Sequence, residues 1–316
     1  MKRSKLIIGL IATAFISLTL LGLSFFAGPN GFGLPSPPLL NLRGTRIWLG
    51  FLTGGALGLS GSVFQALLRN PLADPYIVGV SGGAALFGAS ALVIGLSFSG
   101  VTVASLTGAL MVAFALAALL KRDRSKNADT TLLAGVIFNA FVGALLTLMK
   151  TLVPAQKSQE ILFWLIGTLS YVDTSTIITL TISIALCAAA LIAHCGSLET
   201  LTLGSDEAAR LGLNVQKTRF LFYFGASILV ALTVPFVGMI GFIGLVVPHA
   251  LRRAFSHDAR FLLPASFLFG GGALATADAL GRLSFPLFGS EIPTGAITAL
   301  FGALAFGILL LKREKQ

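Results

Sequence analysis

Arg69-Asn70-Pro71-Leu72-Ala73-Asp74-Pro75 separates two long apolar runs. Residues 47–68 before it and 76–120 after it carry no charged side chain. Each proline removes an N–H donor and restricts the residue ahead of it, so helix is stopped on both sides. A chain that only had to turn around would not need seven such residues. The stretch reads as a built loop at a membrane surface, one that lines a path or meets a partner.

On either side the chain is almost continuously apolar. Of its 316 residues, 55% are hydrophobic and 11% charged, against roughly 25% charged in a soluble domain. A spanning helix needs about 20 apolar residues. The runs fit about ten spans, near 6–27, 46–68, 76–96, 101–120, 131–153, 161–194 (longer than one span), 218–238, 240–255, 261–281 and 292–311. The expected fold is an all-α polytopic membrane protein, residues 1–316 forming one transmembrane domain.

The net charge of +10 does not point to nucleic acid, because the basic residues sit at span ends rather than on one face. With the N-terminus inside, every Lys and Arg except Arg43, Arg46, Lys150, Lys157 and Arg282 falls on the cytoplasmic side. The positive-inside rule then sets the orientation, with both termini cytoplasmic. The first run is expected to be a retained helix. It is long for a signal-peptide core, and Phe25 would stand three residues before a cut after Ala27.

The runs carry packing and polar marks. Gly50, Gly54 and Gly58 recur every four residues, continued by Gly61, Ser62 and Gln65, a small-residue stripe for close helix approach. Gln65 is expected to face protein or a water-filled path. Asp278 and Arg282 are four apart and can pair on one helix face. Pro248 weakens the run that ends in His249 and the Arg252-Arg253 pair. His249 reads as a structural hydrogen-bonding residue, and Cys187 and Cys195 as ordinary membrane cysteines. His194 beside Cys195 lacks any further ligand pattern.

Residues 197–216 form a cytoplasmic insert. Within it, Leu203–Leu213 reads as a short amphipathic helix. Ser205 is placed to cap it, Asp206 and Glu207 favour its positive end, and Gly212 can stop it. Such a helix is either a solvated loop or a dock for a cytoplasmic subunit. The chain has no G-x-x-x-x-G-K-[ST] phosphate loop. It also lacks a run of intramembrane carboxylates, since only Asp173 and Asp278 interrupt the later spans. If it pumps uphill, another polypeptide supplies the energy.

Taken together, several strings resemble the permease subunits of bacterial ABC importers for iron-siderophores, haem and cobalamin, the FecCD or BtuC-like family. They are Arg43-Gly44-Thr45-Arg46, Gly61–Gln65 leading into Arg69–Pro75, Gly79–Ala84, Leu132–Gly135, Trp164 with Gly167-Thr168-Leu169, and Leu203–Gly212. The match continues through Gly241–His249, Ala277-Asp278, Arg282 and Glu291–Gly295. Departures are Gly44-Thr45 where the family often has Leu-Pro, Gly302-Ala303-Leu304 without a proline, and Ala128-Asp129 where small hydroxyls are common.

The resemblance implies a type II ABC importer permease fold in the bacterial inner membrane. It implies a homodimer above a cytoplasmic ATPase dimer, with a periplasmic or lipid-anchored substrate-binding protein outside. It implies no enzymatic role and no cofactor bound by this chain, ATP being used by the partner subunit. The cargo is a metal chelate, an iron-siderophore first, with haem or cobalamin as alternatives. Arg43, Arg46 and Arg282 are expected to meet the binding protein. Ser205, Asp206, Glu207, Ala208, Arg210, Leu211 and Gly212 are expected to couple to the ATPase. Gln65, Ser81, Gly82, Thr130 and Thr131 are expected along the path or gate, and Asn70, Pro71, Asp74, Pro75, Pro248 and His249 as structural motif.

Two other classes compete. Gly79-Val80-Ser81-Gly82 matches the string of intramembrane serine proteases, with His249 as base, but four residues in a chain of 36 glycines are a weak signal. A self-sufficient secondary transporter would need ionisable groups at the midplane.

Overall fold

The structure, a computed structural model, describes residues 3–29, 31–76, 79–122 and 128–311. Lys2, Arg124, Lys126, Lys312, Arg313 and Lys315, assigned to the cytoplasm from the sequence, lie outside the described residues. The helices are α1 (Arg3–Phe26), α2 (Pro37–Leu67), α3 (Val80–Ile94), α4 (Phe98–Arg122), α5 (Ala128–Leu152), α6 (Ala155–Ile166) and α7 (Thr174–Ala193). After these come α8 (Cys195–Thr202), α9 (Ser205–Arg210), α10 (Val215–Val237), α11 (Ile243–Ala254), α12 (Ala259–Leu283), α13 (Phe285–Phe288) and α14 (Thr294–Leu311). A two-residue antiparallel pairing, β1 (Ala27–Gly28) with β2 (Gly31–Phe32), follows α1.

The fold is all-α and polytopic. Among the described residues, seven helices are long and apolar enough to cross a membrane: α1, α2, α4, α5, α7, α10 and α12. The shorter α3 and α14 are also apolar. Two expected spans differ. The run 161–194 is two helices, α6 and α7, parted by the irregular stretch 167–173. Gly167 stands at φ 87 there, a backbone angle that favours glycine. Asp173 is therefore not inside a span; it is the N-cap of α7. The run 240–255 yields only the 12-residue α11, about 18 Å of helix at 1.5 Å per residue.

The core is built around α2, in which residues 52–65 are all buried. The glycine stripe performs the packing expected of it. A Cβ on Gly54 would run into the carbonyl of Gly270 on α12, and one on Gly58 into that of Ser266. A Cβ on Gly61 would strike Gly244 of α11. With no hydrophobic drive between helices in lipid, such backbone approach supplies the dispersion contact that holds them. Ser62 Oγ bonds Ser266 Oγ at 2.7 Å in the same seam. Beyond it, α1 docks on α12 through Ser17 Oγ, which donates to Leu268 O at 2.6 Å. A second close approach joins α3 to α4 at Gly83 and Gly108.

Candidate functional site

The Arg69–Pro75 stretch begins as a helix stop. Asn70 N donates to Gln65 O at 3.1 Å and Arg69 N to Ala66 O at 3.3 Å, with Arg69 at φ 48. This is the Schellman pattern, with arginine in the left-handed position that glycine usually takes. Asn70 Oδ1 then accepts from Leu72 N (2.8 Å) and Asp74 Oδ1 from Tyr76 N (2.7 Å), two successive side-chain turns.

The stretch does not stay at the surface. Arg69 and Leu72 are exposed, but Ala73, Asp74 and Pro75 are buried. Gly79 packs on Gly135 and Phe138 of α5, about 10 Å along that helix from its start. The loop thus climbs into the protein, where only protein-covered irregular backbone is tolerated at depth. Tyr76 ties it there. Its carbonyl accepts from Asn139 Nδ2 of α5 at 2.6 Å. Its hydroxyl accepts from Ile240 N in the unwound link between α10 and α11.

At the same end of the molecule, α8 and α9 are clasped to three helices. Arg69 Nη2 donates to Leu201 O in the last turn of α8 at 3.1 Å, a cation at the negative end of a helix. Glu199 Oε2 accepts from Ala259 N at 2.8 Å, which caps the start of α12 from a different helix. Arg219 Nη2 of α10 donates to Ser205 Oγ at 2.8 Å.

Ser205 is consequently not the cap expected of it. Gly204, at φ 133, holds the N-cap position without a side-chain bond. Gly212, at φ 83, follows the helix end as expected. Asp206, Glu207, Arg210 and Leu211 face outward, Ala208 is buried, and Leu203 and Leu211 are 59% and 67% exposed.

The opposite end holds a charge cluster. Arg46 donates through Nε and Nη2 to Asp278 Oδ1 (3.1 and 2.9 Å) and through Nη2 to Glu291 Oε2 (2.8 Å). Thr294 Oγ1 donates to the same Asp278 oxygen at 3.0 Å. Arg282 Nε faces Asp278 Oδ2 at 3.3 Å, an ion pair without hydrogen-bond alignment, so the i, i+4 pairing expected from sequence forms. Arg282 Nη2 donates to Ser24 O near the end of α1. At 3% exposure, Arg282 is an internal strut, which corrects its placement among partner-facing arginines. Arg43 and Arg46 remain half-buried, Arg43 Nη1 donating to Phe25 O at 3.0 Å.

The expected gate residues stand on three different helices, α2, α3 and α5. Gln65 is buried, donating through Nε2 to Gly244 O (3.1 Å) and accepting at Oε1 from Arg252 Nη2. It braces α11, which corrects its placement on a path. Ser81 and Gly82 are buried in the first turn of α3, with Asn139 Oδ1 against Gly82. Thr130 and Thr131 begin α5, and their side chains lie outside the described residues. His249 packs edge-on against Phe306 of α14, centroids 6.1 Å apart. Its helix packs on α2, α12 and α14, whereas Ser81's packs on α4, α5, α6 and α10. No Ser–His pair is assembled there. Among the described residues, no cluster of His, Cys, Asp or Glu could hold a metal ion.

Tyr76, Glu199 and Arg219 were not legible as functional residues. Each acts on a distant backbone or hydroxyl group, and no local spacing announces that. Glu291 was visible only as part of a motif string.

The FecCD transport family model matches residues 6–312. The cobalamin import system permease protein BtuC of Halobacterium salinarum is 36% identical over 293 residues, covering 92% of this chain and 78% of that protein. The hemin transport system permease protein HmuU of Yersinia pestis is 36% identical over 286 residues, covering 88% and 84%. A metal-chelate type ABC transporter solved in an inward-facing conformation superposes with a TM-score of 0.86 at 28% identity, over 97% of this chain and 99% of that one.

Proposed function

Because the chain belongs to the FecCD transport family, we propose that it is the permease subunit of an ATP-driven importer carrying an iron-siderophore chelate across the bacterial inner membrane. The relatives' cargoes support the metal-chelate and tetrapyrrole class, with haem and cobalamin the neighbouring choices. The chain performs no bond chemistry itself; a cytoplasmic ATPase pair hydrolyses ATP, and a binding protein delivers the cargo. Two copies of the permease form the path between them.

The observation that carries this reading is the clasp around α8 and α9. A short exposed helix with Asp206, Glu207, Arg210 and Leu211 outward is bonded through α8 to Arg69, just past the end of α2, and to α12, and directly to α10. That arrangement suits a lever. A push on α9 from a nucleotide-driven subunit reaches α2 and α12, which the glycine seam joins into one body. ATP closure then supplies the differential free energy that shifts the two halves between outward and inward states. At the other end, Arg43 and Arg46 offer positive charge for orienting the binding protein.

The test is uptake by proteoliposomes containing the permease with its ATPase, supplied with loaded binding protein. Radioactive iron in a hydroxamate siderophore, haem and cyanocobalamin would be compared. Import of one cargo that needs ATP and both partners is expected. Concentrative import by the permease alone would overturn the reading.

A further inference from the structure

We propose that Glu291 is a resident counter-ion for Arg46, displaced when a carboxylate side chain of a docking protein takes its place. The inference rests on the importer reading for the identity of the docking protein, and on the charge cluster for everything else.

Arg46 has two carboxylate partners of unlike standing. Asp278 is 1% exposed and locked by Thr294, Arg282 and Arg46 together. Glu291 is 33% exposed and lies in the irregular stretch between α13 and α14. Both meet the same guanidinium nitrogen, at 2.9 and 2.8 Å. Asp278 fixes the arginine's position, and Glu291 occupies its outward side.

Charge and space favour an incoming acid. Arg43, Arg46, Asp278 and Glu291 all act electrostatically on Arg282, so the cluster holds three guanidinium groups against two carboxylates, an excess of one positive charge. A cavity of about 380 Å³ opens beside Arg46 and Glu291, walled by Thr168, Ser170 and Tyr171. Asp278 is shared between Arg46 and Arg282, so it offsets the desolvation of the half-buried Arg46 only in part. Glu291 offsets the rest while the partner is away. Exchange of one carboxylate for another keeps the ion pair count constant, so docking is specific yet readily reversed.

The test uses the full chain in detergent and phenylglyoxal, which modifies accessible guanidinium groups, read by peptide mass spectrometry. In Glu291→Gln, labelling of Arg46 should rise several-fold while Arg282 stays as slow as in the parent. A hexaglutamate peptide should protect Arg46, at lower concentration in the variant, and a hexaglutamine peptide should not. Glu291→Ala should behave as Glu291→Gln does. Unchanged Arg46 labelling in both variants overturns the proposal, as does equal protection by the two peptides. Faster labelling of Arg282 also overturns it, since Glu291 would then be holding the cluster together. None of these readouts needs transport. Exchange without ATP-dependent uptake would sink the importer reading alone, and uptake without exchange would sink this one alone.

Discussion

Gln65 on α2 donates its side-chain amide to the Gly244 carbonyl of α11, 3.1 Å away. That carbonyl would ordinarily accept from the N–H four residues on, but residue 248 is proline and has none. A side chain from another helix thus replaces the bond that Pro248 removes. The pairing explains why a glutamine sits in a buried apolar seam, and why a proline is tolerated in a 12-residue helix.

Removing that donor leaves a buried acceptor unsatisfied, at a cost of about 1–3 kcal/mol. Gln65→Ala should lower the thermal midpoint of the detergent-solubilised protein. Pro248→Ala restores an N–H to Gly244, so the loss should shrink in the double variant. Additive losses across that cycle would count against the relationship.

Glu199 serves as a cap borrowed from a neighbouring helix. Glu199→Ala should cost about 1 kcal/mol, as other cap deletions do, and should slow ATP-driven uptake. Glu199→Gln keeps an acceptor oxygen and should recover most of both. Equal uptake by the Ala and Gln variants would show that the α8–α12 bond transmits nothing.

Glu207 and Arg210 project from α9 into solvent. Their joint replacement by alanine should leave stability within about 0.5 kcal/mol, as for most surface sites. Uptake in the assembled transporter should fall at least about tenfold, while ATP hydrolysis persists. Undiminished uptake would remove α9 from the coupling route.

Arg282 and Arg43 should separate by readout. Arg282→Ala strips a buried carboxylate of one partner and should destabilise the fold by about 3 kcal/mol, the scale for breaking a buried ion pair. Arg43→Glu should leave the melting midpoint nearly unchanged and weaken capture of the loaded binding protein, measured by surface plasmon resonance. Matching stability losses for the two would place Arg43 inside the fold rather than at a docking face.

Asp173 contributes a pH-dependent term. Its carboxylate accepts from Ser175 Oγ, Thr176 N and Thr176 Oγ1, and these bonds lower its pKa to about 2. Since the folded value lies below the unfolded one, the stabilisation is complete above about pH 4. It is lost as pH falls towards 2. Asp173→Asn should therefore flatten the stability profile across that window, followed by thermal melts, with its loss full at neutral pH and vanishing towards pH 2. An unaltered acid limb would mean the cap adds nothing to α7.

Much of the architecture was legible because the bilayer imposes a one-dimensional rule. Charge-free runs bounded by Arg and Lys announced the helices, and the four-residue glycine spacing announced a close helix approach without naming α12 as its partner. The strings shared with known permeases marked α9 and the Arg69–Pro75 loop. The departures from those sequence patterns are tertiary in origin. The run 161–194 contains no charge strong enough to mark a break except Asp173, so its division at Gly167 passed unseen. The loop read as superficial instead climbs inward, because Tyr76 finds Asn139 and Ile240 there.

What the chain determined by itself was which segments enter lipid, since transfer of apolar side chains depends on local composition alone. Which polar side chains face one another was decided only by the packed structure. Gln65 and Gly244, Arg69 and Leu201, Glu199 and Ala259, and Arg46 and Asp278 are 60 to 232 residues apart. A donor's need for an acceptor is a property of the residue, but the acceptor it reaches depends on how helices dock. Arg282 shows the difference most plainly: its charge and position suggested an outward role, and the buried carboxylate one turn away drew it inside.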